Sequence, residues 1–168
     1  MRQPSQQIKL RVQLLRLSLT HPYGISFEDC CHCAAYDSVT GFYRTEDTRG
    51  TIGLADDSLL TPNRENYNSY AQAVLNPAND LIAMSDLKVN NRGASLENFT
   101  LLESGYLAPF AQVQGNTFFA YGAANPDGIS HFSTLGANTF GLEDMLGGGD
   151  LDSDDLVLSF SFALPPLV

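Results

Sequence analysis

Apolar and polar residues alternate along much of this chain at the period of a β-strand. Residues 8–19, IKLRVQLLRLSL, place Ile8, Leu10, Val12 and Leu14 on one face. The pattern then slips by one, so that Leu15, Leu17 and Leu19 continue it, which predicts a half-buried strand with a bulge. Residues 21–33, HPYGISFEDCCHC, show no clear period and read as a connection. A second strand is predicted where Val39, Gly41 and Tyr43 alternate against Thr40, Phe42 and Arg44.

One helix stands out, in LLTPNRENYNSYAQAVLNP. Thr61 suits its cap and Pro62 its first position, while Tyr67, Tyr70, Ala71 and Val74 form an i, i+3, i+4, i+7 stripe fit for packing. Asn76-Pro77 ends it. Beyond it, strands are expected near 80–84, 97–103, 106–113, 117–123, 129–134 and 155–164, separated by Gly, Asn and Asp turns. The last is the clearest, with Leu156, Leu158, Phe160, Phe162 and Leu164 opposite Val157, Ser159, Ser161 and Ala163. The expected fold is all-β: an antiparallel β-sandwich, jelly-roll-like, with one short helix.

Composition agrees with that picture. A chain of 168 residues, 43% hydrophobic and only 17% charged, is most simply one domain without long charged helices. The net charge of −10 argues against a nucleic-acid partner, which needs clustered Lys and Arg. The first twenty residues carry four basic side chains (Arg2, Lys9, Arg11, Arg16) and no acid, so the remainder carries −14. After Arg92 there are nine acids and no Lys or Arg. No run of 18 apolar residues suggests a membrane-spanning helix. Arg11, Gln13 and Arg16 interrupt the apolar stretch that a signal peptide would need. If the protein is exported, the chain is expected to lack its usual leader or to be one piece of a longer protein.

Cys30, Cys31, His32 and Cys33 invite a zinc reading, but four adjacent residues converge poorly on one ion. An odd number of cysteines also fits a disulfide framework poorly. Ordinary thiols are the simpler expectation.

The acidic stretch FGLEDMLGGGDLDSDDLVL is more informative. Six of the thirteen residues from 143 to 155 are carboxylates: Glu143, Asp144, Asp150, Asp152, Asp154 and Asp155. In extended backbone Asp150, Asp152 and Asp154 would point to one side. Two unit charges about 4 Å apart interact by roughly 1 kcal/mol in water and about 4 kcal/mol near a protein surface, so crowding several without a cation is costly. Calcium answers this well, because it takes carboxylate and carbonyl oxygens in irregular geometry; magnesium prefers a regular octahedron. Gly147, Gly148 and Gly149 would let the chain bring Glu143 and Asp144 back towards Asp150 and Asp152. An EF-hand is excluded: counting from Asp150, its sixth and twelfth positions are Asp155 and Ser161 rather than Gly and Glu. The glycine-rich nonapeptide of β-rolls matches in part and only once, where tandem copies are needed. From spacing alone, a solvated acidic hairpin remains the alternative.

The stretch ANPDGISHFSTLGANTFGLEDMLGGGDLDSDDLVL resembles the signature of the domain of unknown function 4114 family. The upstream AAYDSVTGFYRTED, LLTPNRENYNSYAQAVL and LESGYLAPFAQV are similar to its earlier stretches, so the resemblance spans about 34–163. That family occurs in secreted or surface proteins of cyanobacteria and other bacteria, often beside calcium-binding repeats. The resemblance implies a calcium-binding β-sandwich domain over residues 34–164, preceded by an atypical strand and connection over 1–33. It implies Ca2+ as the cofactor on Glu143, Asp144, Asp150, Asp152, Asp154 and Asp155, with Asn125, Asp127 and Asn138 as lesser candidates whose other role is turn chemistry. Two departures stand out. Ser153 replaces an aromatic usual between the aspartates, and residues 1–33 are unlike the family's entry strand. An altered reading frame or gene start would account for the second and would leave the cysteine run without a selected function.

The resulting expectation is a non-enzymatic structural or adhesive module, extracellular or at the cell surface, with surface glycans or matrix proteins as partners. The alternative is a calcium-dependent carbohydrate-binding module using Tyr121, Phe132 or Phe140. Catalysis is not expected: no Gly-x-Ser-x-Gly motif is present, and His21 and His131 read as hydrogen-bonded structural residues.

Overall fold

A computed structural model describes residues 15–17, 23–29, 36–89, 96–101, 105–136, 139–150 and 152–163. The cysteine run, His21 and Asn138 lie outside the described residues, as does most of the first predicted strand.

The fold is all-β with one short α-helix, as its alternating pattern predicts. The first sheet contains β1 (Leu15–Leu17), β3 (Ser38–Thr45), β6 (Ile82–Val89), β8 (Gly105–Val113) and β9 (Asn116–Phe119). Its order is β1-β8-β3-β6, and β9 shares with β1 the outer edge of the long β8. The second sheet contains β2 (Tyr23–Asp29), β7 (Leu96–Leu101), β10 (Phe132–Gly136), β11 (Thr139–Leu142) and β12 (Leu156–Ala163), in the order β10-β11-β12-β2-β7. A two-stranded ribbon joins β4 (Ile52–Gly53) to β5 (Leu59–Leu60). All pairings among the described strands are antiparallel, and the chain passes between the two large sheets from β1 to β2, β2 to β3, β6 to β7, β7 to β8 and β9 to β10. Neighbours in a sheet are therefore often distant in sequence, as in the expected jelly-roll-like sandwich.

Residues 23–29 correct the reading of residues 21–33 as a connection. They form β2, paired along its length with β12 on one side and β7 on the other. The second sheet thus draws on chain both before and after residue 34.

Register explains the core. Cross-strand partners share a face, so Thr40, Leu87, Ala111 and Phe118 line one side of the first sheet. Phe132, Leu142 and Leu156, with Phe140 and Leu158, line one side of the second. All of these side chains except Thr40, which is buried but polar, belong to a single buried apolar cluster. Each large apolar side chain buried there contributes roughly 1.5–3 kcal/mol.

The helix α1 spans Tyr67–Leu75, starting five residues after the Pro62 position expected for it. Asn63 and Asn66 are the reason. Asn63 Oδ1 accepts from the amides of Glu65 and Asn66, and Asn66 Oδ1 accepts from that of Asn63, which holds a turn in place of helix. Thr61 Oγ1 instead meets Thr51 Oγ1. The predicted stripe does pack: Tyr70 and Val74 are fully buried, with Tyr70 edge-on to Tyr43 and Phe119 on the first sheet's other face. Asn76-Pro77 ends the helix as expected, leading into a 3₁₀ turn. Among the described residues no helix is long and apolar enough to cross a membrane.

Candidate metal centre

Leu142 and Leu156 are the last partners of the β11–β12 hairpin, so residues 143–155 form its loop and every acid of the cluster belongs to it. The neck is hydrogen-bonded. Glu143 N donates to His131 O at 2.8 Å, and Asp144 N donates to Asp155 Oδ2 at 2.9 Å. Gly141 on β11 has no side chain where the Ser153 carbonyl crosses it, so the far arm of the loop lies directly on the strand.

Three glycines shape the near arm. Gly147, Gly148 and Gly149 all have positive φ, of 87°, 84° and 42°. They return the chain so closely that a Cβ on Gly149 would lie 2.5 Å from Glu143 Oε1. Only glycine leaves that oxygen its place.

A brace reaches this loop from the Asn-Pro-Asp-Gly turn before β10. Asp127 Oδ2 accepts from Gly147 N at 2.9 Å and faces His131 Nε2 at 3.0 Å, and Oδ1 accepts from Ile129 N. His131 is fully buried, stacked on Phe118 at 3.9 Å, and its Nδ1 lies 2.8 Å from Glu143 O. Both ring nitrogens thus meet oxygens, the structural role expected of this histidine. Burial opposes the charge on Asp127, but the amides of Gly147 and Ile129 and the His131 ring outweigh it and hold the carboxyl below its ordinary range. Asn125, completely buried, is absorbed by turn chemistry: its side chain exchanges hydrogen bonds with both main-chain groups of Phe119 and donates to Ile129 O.

The carboxylates gather as two triads sharing Glu143. One is Glu143, Asp144 and Asp155; the other is Glu143, Asp150 and Asp152; in each, one oxygen per residue lies within 4.8 Å of the others. Glu143 and Asp144 are buried, at 2% and 4% exposure, Asp155 is half-buried, and Asp150 and Asp152 are exposed. Asp154 stands outside both triads. Its amide donates to Asp152 Oδ1, and hydrogen bonding to Asp152, with the charges around it, raises its own carboxyl.

Ser153 explains the exclusion of Asp154. Its φ of +57° breaks the extended run that would have aligned Asp150, Asp152 and Asp154. Its hydroxyl lies 2.9 Å from that of Ser133 on β10, so this residue anchors the far arm by a hydrogen bond.

Asp144 is the unusual member. Both of its oxygens are buried without a hydrogen-bond partner. Burial first, and then the Asp155 carboxylate, push it up to about 6. A buried carboxylate without donors is expensive unless a cation meets it. The residues fit a calcium ion in three respects: an all-oxygen donor set, an orphaned carboxylate aimed into the cluster, and a glycine that leaves room for a ligand oxygen.

The aromatics considered for sugar contact are placed differently. Phe132 and Phe140 are buried, at 1% and 5% exposure, and offer no ring face to a sugar. Tyr121 is half-buried, and its ring lies over Gly50. Compared with known protein families, curated proteins and solved structures, the chain matches none.

Proposed function

We propose that this chain is a non-enzymatic calcium-binding β-sandwich module of an exported or cell-surface bacterial protein, with a structural or adhesive role. Calcium would be held by carboxylates of the 143–155 loop. The observation that carries this reading is Asp144, buried with two unpartnered oxygens beside Glu143 and Asp155. The ion would offset most of the charge of these three acids and fasten β11 to β12 at the loop end of their hairpin. The resemblance of residues 34–163 to the domain of unknown function 4114 family supports the same reading, including its bacterial, extracellular setting; surface glycans or matrix proteins are the proposed partners.

A ligand at about 100 times its dissociation constant stabilises the folded state by roughly 2.7 kcal/mol. Calcium is therefore expected to raise the thermal midpoint by several degrees, chelator to reverse it, and equimolar magnesium to do much less. Identical midpoints with calcium and with chelator would sink the proposal.

A further inference from the structure

We infer that the loop takes two calcium ions bridged by Glu143: an inner ion on Glu143, Asp144 and Asp155, and an outer ion on Glu143, Asp150 and Asp152. This rests on the calcium reading above and adds to it the number of ions and their division between the residues.

The geometry divides the ligands. Calcium–oxygen distances of about 2.3–2.6 Å allow two oxygens on one ion to be at most about 5.2 Å apart. Each triad, within 4.8 Å, satisfies that limit as it stands. Asp144 and Asp155 fall in one triad, Asp150 and Asp152 in the other, and Glu143 alone belongs to both. A carboxylate has two oxygens and can serve two ions at once. The missing Cβ of Gly149 leaves Glu143 Oε1 room beside the residue that precedes Asp150.

Charge points the same way. Five ionised carboxylates around one divalent ion leave −3; around two they leave −1. The independent sign of a ligand is Asp144, nine-tenths buried with neither oxygen partnered, and it belongs to the inner triad. The inner ion therefore binds first and tightly. The outer ion, on two exposed aspartates, keeps more water and exchanges faster.

Equilibrium dialysis of the full chain against radiocalcium tests this, with circular dichroism confirming that each variant is folded. Wild type is expected to bind two ions per chain in a tighter and a weaker class. The double variant Asp150→Asn, Asp152→Asn should keep one ion, of the tighter class. Asp144→Asn should lose the tighter class, and Glu143→Gln should weaken both. If Asp144→Asn does not fold, the double variant decides alone, because its remaining single tight ion is the distinguishing result. Saturation of wild type at one ion, or loss of all binding in the double variant, would overturn the two-ion arrangement while leaving calcium binding intact. No binding to wild type would overturn both.

Discussion

The amide of Gly147 donates to Asp127 Oδ2 at 2.9 Å, across twenty residues of chain, and the same oxygen faces His131 Nε2. One carboxylate thus couples the glycine-rich arm of the acidic loop to the buried histidine behind Glu143. Asp127 belongs to neither triad, yet it sets where the loop can go. Hydrogen bonds to a charged group contribute about 1.5–3 kcal/mol each, and Asp127→Ala also leaves His131 Nε2 without a partner. Asp127→Ala should cost about 2–4 kcal/mol in denaturant unfolding and weaken calcium binding severalfold. Lower stability with unchanged calcium affinity would show that the brace does not position the ligands.

The three glycines offer a sharper comparison. Gly147 and Gly149 both have positive φ, so alanine at either should cost about 1 kcal/mol in backbone strain. They differ in what a Cβ would meet: nothing within 4 Å at Gly147, but Glu143 Oε1 at 2.5 Å at Gly149. The Glu143 carboxylate is the end of a flexible side chain and can swing away, which spares the fold but moves a ligand. Gly149→Ala should therefore lose much more calcium affinity than Gly147→Ala at similar apo-protein stability. Calorimetric titration of both variants reads this directly, and equal affinities would remove Gly149 from the site.

The fold was legible wherever one face is buried and the other open. In β12, Leu156 and Leu158 are buried while Val157 and Ser159 are half-exposed, the alternation that predicted the strand. Shorter or doubly paired elements were harder. β11 has four residues, one of them Gly141, and β4 and β5 have two each, too few to show a period. β2 does alternate in sequence, as YGISFED, but Pro22 and the cysteine run at its ends disguise it as a connection. The excess of charge between Glu143 and Asp155 was visible at once. Its division into two triads was not, because that depends on the Leu142–Leu156 closure and on the left-handed Ser153, and neither has a signature in the pattern.

The helix supplies a test of the fold away from the acidic loop. Tyr70 donates its hydroxyl to Gly50 O at 2.6 Å in a fully buried setting, close to the Tyr43 hydroxyl. Tyr70→Phe keeps the ring contacts with Tyr43 and Phe119 but orphans the Gly50 carbonyl. The expected loss is about 1–2 kcal/mol in a melt or denaturant titration, with calcium affinity unchanged. A change in affinity as large as that of the Gly149 variant would mean that α1 and the loop are coupled.

Acidity should affect the calcium-free protein in an unusual direction. Asp144 rises from the ordinary 3.8 to about 6 because it is buried and because Asp155 lies beside it. The folded state therefore holds this proton more tightly than the unfolded chain. Its contribution is fully present below about pH 4 and is lost as pH rises through about 6. Asp127 and Asp47 have the opposite sign: both are lowered, Asp47 by Arg49 and Thr51 against the opposing effect of burial, so their contribution is lost only as pH falls below about 4. The two effects occupy separate windows. In calcium-free buffer, stability should fall by about 2 kcal/mol between about pH 4 and pH 7, after allowing for solvent reaching the loop through Asp150 and Asp152. Calcium should recover the loss, and its effect should grow over the same interval because it displaces the proton. Asp144→Asn should flatten the calcium-free profile and leave the protein more stable at neutral pH than wild type without calcium. Thermal melts of both chains across this range decide the matter, and the same slope in wild type and variant would assign the dependence to another group.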